Sequence, residues 1–306
     1  MIARVIQRLL ASLLVVFGAV TAVFLILNWL PGNAAESIAG EEASEQTIVA
    51  LSARLGTDRG LWEQYHRYLA GLVHGDLGRS YVTGEPVLRH VASQWPATLQ
   101  LTLVSSLVAV TLGTGLGVLS ARFAGRWFDQ LIQATVLLFA SMPTFWLGIL
   151  LMLVFSVQLG WLPVIGNGSV AQAILPVACL GLIGSAPLAR LMREGMVDGL
   201  NDPYVTTLRA KGLLPARVFY VHVLRNALIP VITYLGVLVG ELLSNAVVVE
   251  TLFARQGIGR LTVEAIGQKD LPVVQGSILF IAVSFVLINL LVDLSYTVID
   301  PRVRAQ

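Results

Sequence analysis

Long stretches without a charged side chain constrain this chain more than any other feature of its sequence. Four gaps lack Asp, Glu, Lys and Arg, and they run from Arg8 to Glu36, Arg89 to Arg122, Asp129 to Arg190, and Asp270 to Asp293. A fifth run, from Arg225 to Glu250, is interrupted only by Glu241. About 20 apolar residues suffice to cross the roughly 30 Å of hydrocarbon in a bilayer. Only 12% of the residues are charged, against about 25% in soluble domains, so the sequence predicts a multi-pass membrane protein.

The gaps predict six membrane-spanning helices. The third gap holds two of them, because the Gly- and Pro-rich stretch 160–168 divides it. The predicted spans cover about 9–29, 98–121, 131–157, 172–192, 227–249 and 274–297. Spans in hydrocarbon must pair their own backbone groups, which a helix or a closed β-barrel can do. These runs lack the alternation of apolar and polar residues that is typical of β-barrel strands. The sequence therefore predicts an all-α polytopic fold.

The first apolar block has two interpretations. Arg4 and Arg8 precede it, as in a secretory signal peptide. Its apolar core, however, is longer than the 7–15 residues typical of such signals. We expect a retained signal-anchor helix.

Lys and Arg residues predict how the chain is oriented. Twelve of the 20 lie in short segments on the side of both termini, whereas eight lie on the other side, mostly in one long segment. Positive residues in short loops favour the cytoplasm, so both termini are predicted to be cytoplasmic. Three regions follow: 1–30 is the cytoplasmic start and first span, 31–97 is extracytoplasmic, and 98–306 is the core of the other five spans.

The extracytoplasmic segment contains two amphipathic patterns. Thr47–Leu55 and Leu61–Leu72 carry apolar residues at spacings of three and four. One face of the second helix would hold Leu61, Tyr65, Tyr68, Leu69 and Leu72. The segment is either a packed cap or a docking or gating element over a pathway.

The loop 193–226 between the fourth and fifth spans is the most distinctive polar segment. Asn201 or Asp202 can cap a helix that has Pro203 at its first position, and Gly212 suits its end. The pattern predicts a short helix, Pro203–Lys211, with a cationic C-terminal end. Such a helix could bind anionic lipid or fit a groove in a soluble partner.

Glu241 lies inside the fifth span, where a carboxylate costs roughly 2.5 kcal/mol or more. Ser244 and Asn245 follow at positions i+3 and i+4, so the three share one polar face. Asn289 and Gln133, in other spans, could hydrogen-bond with it. The face either holds helices together or lines a pathway for a cationic or zwitterionic substrate.

Several classes of site find no support in the sequence. Cys179 is the only cysteine and the four histidines are scattered, so no disulfide or metal framework is predicted. Gly113, Gly115 and Gly117 lack the Lys-Ser/Thr of a phosphate-binding loop and suit close helix packing instead. A net charge of +2 gives no indication of nucleic-acid binding.

A series of motifs along the chain resembles one protein family. The motifs are Leu30-Pro31-Gly32, Gly75-Asp76-Leu77-Gly78-Arg79-Ser80, Leu159-Gly160-Trp161-Leu162-Pro163, the segment 204–213, His222–Pro230, Glu250 with Phe253 and Gly257-Ile258-Gly259, and Asp293, Tyr296 and Asp300-Pro301-Arg302. In this order they resemble the permease subunits of ABC importers, specifically the B-type subunit of the dipeptide, oligopeptide and nickel family.

The resemblance implies a type I permease fold in the bacterial inner membrane, without catalytic residues or a cofactor of its own. It implies a second, usually non-identical, permease subunit, two ATPases that bind ATP and Mg²⁺, and an extracytoplasmic solute-binding protein. It also implies that the loop helix docks on an ATPase, through Tyr204, Arg209, Ala210, Lys211 and Gly212. Peptides, glutathione, nickel or metal chelates would be the substrates.

Two other classes of membrane protein remain as alternatives. A self-sufficient secondary transporter or channel would show internal repeats and paired intramembrane carboxylates. A membrane enzyme would need clustered His, Asp or Ser groups in its spans. The sequence has one strong intramembrane acid, Glu241, and no clear repeat.

Overall fold

The computed structural model describes residues 2–29, 34–39, 43–166 and 168–299. This described part is helical, and its only β-type pairing is an isolated bridge between Arg79 and Pro86. The predicted all-α class is confirmed. Two of the family-like motifs, Leu30-Pro31-Gly32 and Asp300-Pro301-Arg302, lie outside the described residues.

Thirteen α-helices follow one another in the described part of the chain. They are α1 (Ile2–Trp29), α2 (Ala34–Ala39), α3 (Glu45–Leu55), α4 (Leu61–Val73), α5 (Val87–Arg122), α6 (Trp127–Ser141), α7 (Thr144–Leu151), α8 (Val170–Asn201), α9 (Pro203–Ala210), α10 (Pro215–Arg217), α11 (Leu224–Leu252), α12 (Ile258–Gly267) and α13 (Leu271–Ile299). Two π-helical stretches, Met152–Gln158 and Val218–Val223, extend α7 and join α10 to α11.

Five of the described helices are long and apolar enough to cross a membrane. These spans are Leu10–Trp29, Val87–Arg122, Val170–Asn201, Pro215–Leu252 and Leu271–Leu291. A sixth candidate is the pair Trp127–Ser141 and Thr144–Gln158, which passes the same test but is bent by 110°. The structure thus contains five candidates and one bent pair where the sequence predicted six spans.

The prediction of one continuous span over 131–157 is wrong. Met142 adopts an extended conformation, with φ −83° and ψ 130°, and the helix restarts at Thr144. Pro143 is the cause, because its ring disfavours the helical conformation in the preceding residue. Counting charged residues could not detect this break, whereas the position of Pro143 could have.

Two spans are longer than predicted. Helix α5 begins at Val87 rather than near 98, and α8 continues to Asn201 rather than ending near 192. In α8 the first charged residue of the predicted loop, Arg193, has a carboxylate partner within the protein. A paired charge does not oblige a helix to end, so the charge-free length underestimates the helix.

The described chain divides into two compact units. The first comprises residues up to 98 together with 256–287, and the second comprises 99–255 together with residues from 288 onward. The first unit has its own apolar core, in which Val87 and Val91 pack with Ile258, Val273 and Val274.

In the first unit, Asp270 anchors the loop that precedes α5. Its buried carboxylate accepts hydrogen bonds from Ser80 Oγ, at 2.5 Å, and from the Tyr81 backbone N–H, at 3.0 Å. Burial, followed by the nearby Asp270 charge, raises the pKa of Tyr81. The two bonds join residues 190 and 189 positions apart, so the sequence offered no local indication of them.

The amphipathic helices predicted for the same unit are present as α3 and α4. On α4, Tyr65 and Tyr68 pack against buried Phe24, with ring centroids 5.1 and 5.7 Å away. Tyr65 also shares a 2.7 Å hydrogen bond with Thr21. Leu61, predicted on this face, is instead half exposed. Helix α4 is thereby packed against α1 within its unit.

In the second unit, small residues let α5 and α8 approach closely. A Cβ atom added at Gly113 would lie 2.6 Å from the Ser185 carbonyl oxygen. At Gly117 it would lie 2.5 Å from the Met192 Cβ, whereas at Gly115 nothing lies within 4 Å. Gly113 and Gly117 therefore have the close-packing role that the sequence indicated, and Gly115 does not.

Gly117→Ala should destabilise the second unit by about 1–3 kcal/mol, because the added methyl group overlaps α8. Gly115→Ala is the matched control, since the same change on the same helix meets open space. It should be neutral or slightly stabilising, because Ala favours a helix more than Gly does. Thermal unfolding of both purified variants in detergent would measure the difference, and equal stabilities would contradict the packing role.

Candidate functional site

Helix α9 begins at the residue that its sequence specifies and ends one residue earlier. The Asp202 side chain caps it by accepting a hydrogen bond from the Tyr204 N–H at 3.2 Å, and Pro203 occupies the first position. The helix ends at Ala210, and Gly212 follows with φ +79°, a left-handed conformation that glycine adopts without strain. The predicted short helix is therefore present, one residue shorter than expected.

Contacts within the second unit fix α9 in place. Val205 is fully buried in the core, and the Tyr204 hydroxyl accepts a 3.3 Å hydrogen bond from Asn226 Nδ2. Gly199, near the end of α8, permits this packing, because a Cβ there would lie 2.9 Å from Val223 Cγ1. A force applied to α9 would consequently reach α8 and α11 directly.

The structure divides the predicted docking residues into two groups. Arg209, Ala210, Lys211 and Gly212 are exposed at the C-terminal end of α9. Their two cations lie where the helix dipole is negative, a favourable position. Tyr204 is half-buried and its hydroxyl is engaged by Asn226. The exposed cationic end is thus available to a partner, whereas Tyr204 holds the helix to its own chain.

A polar face on α11 brings together three of the four predicted pathway residues. Glu241 is exposed and accepts a 3.1 Å hydrogen bond from the Tyr234 hydroxyl. Ser244 is also exposed, and Asn245 Nδ2 donates to the Glu241 backbone carbonyl at 2.9 Å. The fourth residue, Asn289, is half-buried on α13. The face on α11 is therefore a carboxylate flanked by hydroxyl and amide groups.

Asn245 connects this polar face to the break between α6 and α7. Thr144, the first residue of α7, donates a 2.8 Å hydrogen bond from Oγ1 to Asn245 Oδ1. The Cys179 thiol donates to the Thr144 carbonyl oxygen at 3.4 Å. The bend after Met142 therefore lies against α11, one helical turn from Glu241.

Asp129 and Arg193 form an ion pair that sequence reasoning missed. Arg193 Nε and Nη2 donate to the two oxygens of Asp129 at 2.8 and 2.7 Å. Ser120 Oγ and the Gly125 N–H donate to the same carboxylate at 2.5 and 2.9 Å. Gln133, considered as a partner of the polar face on α11, instead donates to Ser120 Oγ at 2.9 Å.

In the sequence, Asp129 marked only the start of the third gap and Arg193 only the start of the loop 193–226. An acidic residue just before the third predicted span and a basic residue just after the fourth were the available signal. Within the described residues, no three His, Cys, Asp or Glu side chains are placed to hold a metal ion.

The chain matches two family profiles that together account for nearly all of it. Residues 113–305 match the binding-protein-dependent transport system inner membrane component, and residues 1–102 match the N-terminal part of such membrane components. The resemblance inferred from the sequence motifs is confirmed.

Curated relatives are similar over almost their whole length. A dipeptide transport system permease protein of Alkalihalophilus pseudofirmus is 39% identical over 332 aligned positions, covering 99% of this chain and all of the relative. A glutathione transport system permease protein of Escherichia coli K12 is 42% identical over 304 positions, covering 99% of both chains.

Solved structures share the fold. The inward-facing methionine ABC transporter MetNI aligns with TM-score 0.57 and 19% identity, covering 69% of this chain and 96% of its own. An amino acid ABC transporter aligns with TM-score 0.52 and 17% identity, covering 77% of this chain and 98% of its own. The fold is that of type I importer permeases, as the sequence motifs indicated.

Thr144→Val should destabilise the second unit by about 0.6 kcal/mol, and by up to about 1.7 kcal/mol, because it removes one interhelical hydrogen bond. Thr135→Val is the control, since the Thr135 hydroxyl donates to the Leu131 carbonyl of its own helix rather than to another helix among the described residues. A double-mutant cycle between Thr144→Val and Asn245→Ala, measured by denaturant unfolding in detergent, should give a coupling of the same size. Zero coupling would contradict the link between the bend and α11.

Proposed function

The chain belongs to the family of binding-protein-dependent transport system inner membrane components, and from this premise we propose how its two candidate sites work. It is a multi-pass permease subunit of an ABC importer. As proposed here, it forms half of a translocation pathway whose other half is a second, non-identical permease subunit. Helix α9 binds the ATPase whose movement drives transport, and the polar face of α11 contacts the substrate.

Helix α9 is proposed to dock in a groove on a cytoplasmic ATPase. Its exposed cationic end, Arg209 to Gly212, supports this role, and so does the buried Val205 that fixes it to the second unit. A helix that is both exposed to a partner and rigidly held can pass that partner's movement to the spans. The distribution of Lys and Arg supports a cytoplasmic position for this helix and for both termini.

The remaining partners follow from the same proposal. Two ATPase subunits bind ATP and Mg²⁺, so this chain needs no catalytic residue and no cofactor of its own. A solute-binding protein delivers substrate from the outer side, and lipid surrounds the exposed apolar surfaces of the spans. ATP binding and release shift the equilibrium between two orientations of the permease pair. The coupling between the ATP and substrate sites is reciprocal.

The polar face around Glu241 is proposed to contact the ammonium group of a peptide-like substrate. An exposed carboxylate inside a span is costly against lipid, so it should face a pathway or a partner subunit. The relatives named above transport dipeptides and glutathione, and both molecules carry an α-ammonium group. A charge-assisted hydrogen bond from that group to Glu241 would orient the substrate.

Reversing both charges at the end of α9, in Arg209→Glu/Lys211→Glu, should reduce the amount of co-purifying ATPase by about tenfold or more. Like charges brought together at an interface cost more than about 1.4 kcal/mol, and the reversal would place acids against a groove that accepts cations. Arg217→Glu/Arg225→Glu is the control, because it makes the same change of charge at exposed positions of the same loop. Equal losses in both variants would indicate a general charge effect. Full retention of ATPase by the first variant would refute docking through this end of α9.

Glu241→Gln should raise the KM for uptake of alanyl-alanine by roughly tenfold, because it removes a charge-assisted hydrogen bond while keeping the shape of the side chain. Uptake of the N-acetylated dipeptide, which lacks the ammonium group, should not change. Glu45→Gln, an exposed acid at the start of α3, serves as the control. Unchanged transport of both peptides would show that Glu241 does not contact substrate.

A further inference from the structure

The ion pair between Asp129 and Arg193 lies between the two candidate sites of the second unit. Arg193 is on α8, eight residues before that helix ends at Asn201, which is about 12 Å at 1.5 Å per residue. Helix α9 begins directly after its cap at Asp202. Any displacement of α9 is therefore passed to the segment of α8 that carries Arg193.

The carboxylate of this pair is held by three elements at once. Asp129 is on the first turn of α6 and its side chain is 4% exposed, whereas that of Arg193 is 27% exposed. Ser120 reaches it from the end of α5, and the Gly125 N–H reaches it from the turn between α5 and α6. Four donors saturate the carboxylate. A movement of Arg193 must therefore either displace α6 or break the hydrogen bonds that compensate the buried charge of Asp129.

Helices α6 and α8 also share contacts of a different kind. Ile132 and Val136 of α6 pack with Ala186 and Ala189 of α8 in a small apolar cluster. Apolar contacts are non-directional and permit one helix to shift along the other. A bidentate guanidinium–carboxylate pair fixes both distance and orientation. The pair therefore sets the register between α8 and α6.

Helix α6 leads from this pair to the substrate side of the unit. It ends at Ser141, and the break at Met142 and Pro143 follows. Thr144 then hydrogen-bonds to Asn245, one turn from Glu241. We propose that the Asp129–Arg193 pair transmits movement of α9 to the break between α6 and α7, so that both residues are positioning residues for transport.

This inference rests on the proposed docking of α9 on an ATPase. The test uses the complete complex of two permease subunits and two ATPases in proteoliposomes. Ser141→Cys, at an exposed position beside the break, reports movement through its rate of labelling by N-ethylmaleimide. Cys179 is buried, and the complex without the Ser141→Cys change gives its background. ATP with Mg²⁺ and vanadate should change the labelling rate at least about fivefold, as expected for a coupling of 1 kcal/mol or more.

The decisive variant is Asp129→Asn/Arg193→Gln, which replaces the charges by a neutral hydrogen-bonding pair. Removing one partner alone leaves a buried charge and should lower the yield of folded complex, whereas removing both should restore it. We expect the double variant to keep its thermal stability and its ATPase subunits and to lose the ATP-dependent change in labelling at position 141. Co-purification of ATPase is scored separately, so failed docking is distinguishable from failed transmission.

Two results would overturn the inference. A double variant that binds ATPase and keeps the full response to ATP would show that the pair only stabilises the fold. If ATP does not change the labelling rate at position 141 in the complex that carries only Ser141→Cys, no movement reaches the break. If the double variant fails to assemble, Arg193→Lys, which keeps the charge but not the bidentate geometry, takes its place and must show a response reduced by about fivefold.

Discussion

Backbone N–H and C=O groups inside a bilayer must pair within the protein, because hydrocarbon supplies neither donors nor acceptors. The spans of this chain obey that constraint even where proline removes a donor. Helices α8 and α11 continue through Pro187 and Pro230, whereas the pair α6–α7 breaks at Pro143. The resulting bend is tied to α11 by the bond between Thr144 and Asn245. The break is thus a fixed structural feature beside the polar face of α11.

Two acidic residues, Asp129 and Glu241, meet the cost of placing a charge in the membrane in different ways. Asp129 is compensated by a bidentate arginine and two further donors, so its charge serves to fix α5, α6 and α8 together. Glu241 has the Tyr234 hydroxyl as a donor and is otherwise exposed. An acid whose acceptors are occupied cannot bind substrate, whereas one with free acceptors can. Exposure and pairing, rather than residue type, therefore support different functions for these two carboxylates.

Helices in lipid gain little from the hydrophobic effect, so close packing has to hold them together. Gly113 and Gly117 let the backbone of α5 come into direct contact with α8. Gly199 similarly brings the end of α8 against Val223, next to α9. The exposed helix that we propose to face an ATPase is consequently attached to a closely packed part of the second unit. That attachment is what a transmitted movement requires.

The sequence by itself determined the features that neighbouring residues encode. Charge-free length located the apolar helices, although it missed the break at Pro143 and the full length of α5 and α8. Asp202, Pro203 and Gly212 indicated the limits of α9 to within one residue, because caps and proline act on the adjacent backbone. Tertiary structure alone decided that Arg193 pairs with Asp129, 64 residues away, and that Tyr204 bonds to its own chain. Such contacts depend on how helices pack against each other, and no local pattern specifies which distant side chain will complete them.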